Sequence, residues 1–226
     1  MTRRGKQRML ADRLGVQAEA AEWCTIDKIP QPPAEVLQAA GHPRFRPARL
    51  RPLGMVGAVL AVPFMPVLML LTLLSNGEEA IKRSLATKDE KERLRVKDED
   101  DKRRDALIAQ QGLDQVFDGN WDGNAGQFLL RWYSHSTHHQ RLVLATEDGI
   151  VLAAPPQRVT VGREKHMQVV ARLPATDAIL VDPFSGEFET RIVLIRFRDG
   201  SWLRVDTEEP RSDLHTYLLR QPLHDS

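Results

Sequence analysis

Cysteine is nearly absent: Cys24 stands alone in 226 residues, so no disulfide framework can form within one chain. Net charge is nearly absent as well. The 32 Lys+Arg and 31 Asp+Glu leave +1, which excludes a strongly basic nucleic-acid binder. Also lacking are a glycine-rich phosphate loop, a nucleophile beside a base with an orienting acid, and paired carboxylates in an apolar setting. Gly162-Arg163-Glu164-Lys165 has one glycine in a charged turn, and Cys24 has no catalytic companions near it in sequence. The expectation is a protein that is not an enzyme and uses no cofactor.

What is present is unevenly distributed. Residues 1–52 carry 10 basic and 5 acidic groups, residues 78–111 carry 10 of each, and residues 112–226 carry 12 basic and 16 acidic. Between the first two lies the uncharged run 53–74, in which 17 of 22 residues are hydrophobic. As a helix rising 1.5 Å per residue it would cover about 33 Å, enough to cross a bilayer core of about 30 Å. It lies too far from residue 1 for a secretory signal peptide. Pro63 and Pro66 at its centre leave a re-entrant hairpin open, and a buried core helix is the third reading. Basic residues flank both ends, so charge does not settle orientation.

Four segments follow. Residues 1–52 read as a basic, Pro-rich arm and linker whose first part is either a basic helix on anionic lipid or a tail. Residues 53–74 read as a transmembrane helix. Residues 78–111 read as a solvated helical stalk stitched by acid-to-base pairs four residues apart. Residues 112–226 read as a β domain with strands predicted at 127–133, 140–146, 150–153, 168–173, 178–182, 191–197 and 202–205. Asp148-Gly149 and Asp199-Gly200 mark two hairpins, and a helix is expected to start at Thr207-Glu208-Glu209-Pro210.

Seven strands and a closing helix resemble a bacterial pleckstrin-homology-like domain. The segments RLVLATEDGIVLAAP (141–155), IVLIRFRDGSWLRVDT (192–207) and EPRSDLHTYLL (209–219) carry that resemblance. The whole chain resembles single-pass membrane proteins of high-GC Gram-positive bacteria. The fold class implied is α+β: one transmembrane helix, a charged stalk, and a seven-stranded antiparallel barrel or sandwich with a C-terminal helix. The transmembrane reading implies a cell-membrane location, and the resemblance puts the C-terminal domain on the cytoplasmic side. The resemblance also implies a scaffold role through a protein partner; the run 53–74 makes the lipid bilayer the other partner, and the balanced charge argues against nucleic acid.

The alternative function is an anionic-lipid sensor using the basic arm and the loop that holds His135, His138, His139 and Arg141, where imidazoles would charge in acid. Those histidines, with no cysteine among them, also pose a weak metal question. Asp118-x-Asn120-x-Asp122-Gly123 matches the opening of a calcium loop, but position twelve is Leu129 rather than the bidentate Glu. A tight turn into the next element is the competing reading.

Overall fold

The computed structural model describes residues 3–40, 87–159 and 161–221. In chain order these form α1 (Arg3–Arg13), β1 (Ala20–Thr25), α2 (Ala34–Ala39), α3 (Lys88–Gln110) and α4 (Asn124–His135). They continue with β2 (Gln140–Thr146), β3 (Gly149–Ala154), β4 (Gln168–Pro174), β5 (Ala178–Val181), β6 (Ile192–Phe197), β7 (Trp202–Thr207) and α5 (Asp213–Leu218). The chain divides into two units, one comprising Met1–Pro47 with Gln110–Ser226 and the other Ala48–Ala109.

The first unit is built on one seven-stranded antiparallel sheet in the order β4-β3-β2-β1-β7-β6-β5. Its central strand is β1, from the segment expected to be an arm outside the domain. β1 pairs with β2 along all six residues, Ala20 opposite Ala145 through Thr25 opposite Gln140. On its other side only Cys24 and Thr25 pair with β7. Ala20 and Cys24 join the core inside the sheet, while Ala21 and Trp23 join a second cluster on the opposite face. Both faces of β1, β2 and β3 are therefore covered, which is why LVLA (142–145) and IVLAA (150–154) are continuously apolar rather than alternating. The β2–β3 hairpin needs its glycine: Gly149 has φ +139°, and a Cβ there would sit 2.2 Å from the Leu173 carbonyl oxygen.

The strand predicted at 127–133 is instead the body of helix α4. Ala125, Phe128, Leu129 and Trp132 fall on one helical face and fill the interior core, Phe128 meeting Phe197 of β6 at 5.9 Å between ring centres. The start of α4 is capped from the distant β6–β7 hairpin. The Asp199 carboxylate accepts from Asn124 N–H at 2.7 Å, and Ser201 Oγ accepts from Ala125 N–H at 3.0 Å. The Asn124 N–H, with the hydroxyl and N–H of Ser201, holds the Asp199 carboxyl below its usual range. The final helix also starts later than expected, with Ser212 as the capping residue of α5.

α1 covers the other face. Leu10 and Ala11 pack with Trp23, Leu142, Leu144, Val151 and Ala153, so the apolar side expected to lie on lipid or be left in a tail faces protein. Polar ties reinforce it: Gln7 Nε2 donates to Glu22 Oε1 at 2.8 Å, and the Arg8 guanidinium lies 3.6 Å from Asp213.

In the second unit α3 is a 23-residue charged helix. Thr87 and Glu90 form a reciprocal capping box, and Arg95 bridges Glu92 at 2.8 Å and Glu99 at 3.7 Å. The stalk reading thus meets a helix from Lys88, while residues 78–86 lie outside the described residues. So does the run 53–74. Among the described residues no helix is long and apolar enough to cross a membrane, which corrects the single-pass transmembrane expectation and the cell-membrane location drawn from it. The long helix that is described, α3, carries charge along most of its length.

Gly126 tests the seating of α4. A Cβ there would lie 2.5 Å from both the Trp121 Cα and the Asn120 carbonyl oxygen, atoms of backbone that cannot swing aside. Alanine favours helix by about 1 kcal/mol over glycine. Overpacking costs about 1–3 kcal/mol and is felt in full against backbone. Gly126→Ala is therefore expected to lower stability by about 1–2 kcal/mol in urea unfolding, opposite in sign to its helix propensity.

Candidate functional site

The four residues singled out around the histidine loop occupy the junction between α4 and β2. His135 ends α4, its ring 6.1 Å from Phe128. His138 is buried, and its ring stacks on His139 with centres 4.9 Å apart and planes 13° from parallel. Its Nδ1 faces the backbone of Gln140, 3.1 Å from the N–H nitrogen and 3.3 Å from the carbonyl oxygen. The His139 Nδ1 is buried and has no hydrogen-bond partner among the described residues.

Arg141 is the fixed point of this junction. Its side chain is buried, with the residue 1% exposed, and its guanidinium donates to the carbonyls of Trp132 and Ser136, each at 2.9 Å, of Gln140 at 3.1 Å, and of His138. It also lies over the Trp132 ring, 4.1 Å from the centre. Carbonyls at a helix C-terminus lack intrahelical donors and carry the negative end of the dipole, which a planar five-donor cation satisfies. Arg141 thus joins the end of α4 to the start of β2. The pattern His135-x-x-His138-His139-x-Arg141 brings its last three members together, but around a helix terminus.

The three imidazoles all have pKa values below the ordinary 6.5. Burial is the first cause for each; positive charge follows, from Arg141 and Arg131 at His135, His139 and arginines at His138, and Arg158, Arg163 and Arg141 at His139. A ring depressed in the folded state binds fewer protons there than in the unfolded chain. Stability is therefore expected to fall as pH drops below about 6.5 and to keep falling until the folded-state rings protonate.

Beside this junction Arg163, on the 3-10 turn Arg163–His166, lies over the Trp23 ring at 3.8 Å, bridges Glu208 at 3.0 Å and donates to Gln140 Oε1. A residue read as part of a charged turn therefore locks β1 and β2 to the segment after β7. Nothing local in GREK signals this, because Trp23 lies so far away in sequence.

The calcium-like loop is a pair of successive turns. Asp118 Oδ1 accepts the Asn120 N–H and Asn120 Oδ1 accepts the Asp122 N–H, each at 3.1 Å, leading the chain to Gly123 at the cap of α4. No group of three or more His, Cys, Asp or Glu able to hold a metal occurs among the described residues. Cys24 is buried, and its thiol pKa is pushed well up by that burial and by the charges of Glu22 and Asp206, the reverse of an activated thiolate. A buried Ser212–His215 pair, 2.9 Å apart, belongs to the α5 cap, and His215 Nε2 donates to the Ile192 carbonyl at 3.2 Å.

The remaining feature is main-chain rather than side-chain. Among the described residues β4 and β5 end the sheet, although only the turn 175–177 separates them in sequence. β4 is guarded as exposed edges are: a register shift opposite Leu152 and Ala153, the charge of Arg172, and Pro174 at its end. β5 reads Ala-Ile-Leu-Val, with no charge or proline, and Ile179 is 42% exposed. Arg198 N–H donates to the Asp177 carbonyl at 2.9 Å, and the register continues with Ile179 opposite Arg196. Hydrogen-bonded pairs alternate along an antiparallel ladder, so the main-chain groups of Ala178 and Leu180 point away from β6. Sequence reading placed this strand but could not place it at an edge.

Comparison of the chain with protein-family models, with curated proteins and with solved structures gives no match in any of the three.

Two measurements probe the junction. Arg141→Lys keeps the charge but loses the planar fork, and hydrogen bonds to charged groups contribute about 1.5–3 kcal/mol each. A loss of about 3 kcal/mol in urea unfolding is expected, with an unchanged m-value. In NMR titration, His135, His138 and His139 are each expected to show midpoints below the ordinary 6.5, and midpoints at or above it would contradict the burial described.

Proposed function

We propose that the first unit is a non-enzymatic protein-binding module that takes an extended segment of a partner protein by strand addition onto the edge of β5, which no strand covers among the described residues. One observation carries this reading: β5 is an unguarded apolar edge beside a guarded one. Strand addition draws affinity from main-chain hydrogen bonds and selectivity from alternate side chains. The outward groups of Ala178 and Leu180 would supply the former. Ile179, with the exposed Arg196 across from it on β6, would supply the latter and favours a partner with an apolar residue and a nearby carboxylate. The sensor alternative is disfavoured. Arg141 is used by backbone carbonyls, the three imidazoles are held toward the neutral form, and α1 turns its apolar side to the sheet.

The test is a displayed library of random peptides selected on the full chain. Selected peptides are expected to alternate apolar and polar residues and to lose at least tenfold in affinity for Ile179→Lys. That variant should change stability by no more than about 0.5 kcal/mol, as an exposed substitution does. Peptides that bind Ile179→Lys as well as the parent chain would refute the reading.

A further inference from the structure

β1 reaches its place from far away in sequence. Its neighbours are β2 and β7, and residues 26–139 run between its last residue and the first of β2. Every other adjacent pair in the sheet is consecutive in the chain. The sheet thus consists of two locally connected halves, β4-β3-β2 and β7-β6-β5, with one strand slotted between them. The slot is specific for that strand. Beyond the ladder to β2, Asp213 Oδ2 accepts the Ala21 N–H at 3.4 Å, Glu208 N–H donates to the Trp23 carbonyl at 3.1 Å, and Arg163 covers the Trp23 ring. α1 travels with β1 and covers the outer face beside it.

We propose that the segment α1–β1 is an exchangeable donor, and that a second copy of this chain can seat its own α1–β1 in the slot to give a swapped, two-fold symmetric dimer. All the contacts named above are the same whether the strand comes from the same chain or from its twin. Only the connection differs. The entropic cost of closing a connection within one chain rises with its length, so a strand delivered across residues 26–139 has a smaller advantage over its intermolecular competitor than a hairpin strand has. The occupant is a second copy because the small residues Ala20, Ala21 and Cys24 flanking Trp23 match the slot, and that segment is the one seated in it. This inference is independent of binding at β5, which ends the sheet three strands away from β1.

Cys24 and Thr207 are register partners, and Cys24 is the only cysteine, so Thr207→Cys creates a reporter of which chain supplies β1. Tagged and untagged full-length Thr207→Cys chains are unfolded together, refolded over a wide range of chain concentration, oxidised with diamide and separated without reductant. Covalent tagged–untagged dimers whose fraction rises several-fold with concentration are expected. Disulfides confined to single chains at every concentration would overturn the proposal, even if sedimentation showed a dimer. A second register pair, Ala20→Cys with Ala145→Cys in the Cys24→Ser chain, is read in the same way. If neither pair oxidises, parent chains that sediment only as monomers after refolding at the highest concentration also overturn it, and a concentration-dependent dimer supports it.

Discussion

The fold depends on the seating of one six-residue strand. β1 supplies both the ladder to β2 and the short seam to β7, and without it no strand ladder among the described residues joins the two halves of the sheet. Its residues are small where they must be. Ala20 and Cys24 leave room for the core that surrounds α4, while Trp23 provides the one large surface on the other side, shared with α1 and Arg163. Because the strand is buried on both faces, its few polar groups are matched within the fold, Glu22 to Gln7 and the Ala21 N–H to Asp213.

A second constraint follows from placing a helix in the core of the first unit. α4 begins and ends inside the first unit, so its orphan backbone groups need partners at both ends. Asp199 and Ser201 meet the first N–H groups, and Arg141 meets the last carbonyls. That assignment determines the character of the histidine loop. A guanidinium committed to four carbonyls is not available to a ligand, and with its neighbours it discourages protonation of the imidazoles. With the side-chain constellations used internally, the outward main chain of β5 is what remains without a strand beside it among the described residues, and the proposed binding rests on it.

Much of the sheet could be read directly from residues. β2 with β3 and β6 with β7 are hairpins announced by Asp148-Gly149 and Asp199-Gly200, and such signals are local. β1 could not be read that way. AAEWCT contains a buried Glu, lacks alternation, and follows a basic helix, while its partners lie beyond residue 139. α4 hides from sequence reading for a related reason. FLLRWY is rich in residues that suit strands, and only the spacing of Phe128, Leu129 and Trp132 betrays the helical face. At the candidate site the histidine spacing was visible, but the role of Arg141 was not, since it depends on where α4 ends. The edge position of β5 was hidden too, because β4 and β5 look like an ordinary hairpin pair in sequence.

The central claim is that residues 20–25 are an integral strand of the first unit and not part of an arm outside it. Amide hydrogen exchange on the full chain tests this most directly. Protection of Glu22–Cys24 equal to that of Leu142–Leu144 in β2, lost in the same cooperative event as denaturant is added, is the expected result. Exchange of residues 20–25 at rates near those of an unstructured peptide, with β2 still protected, would contradict the account.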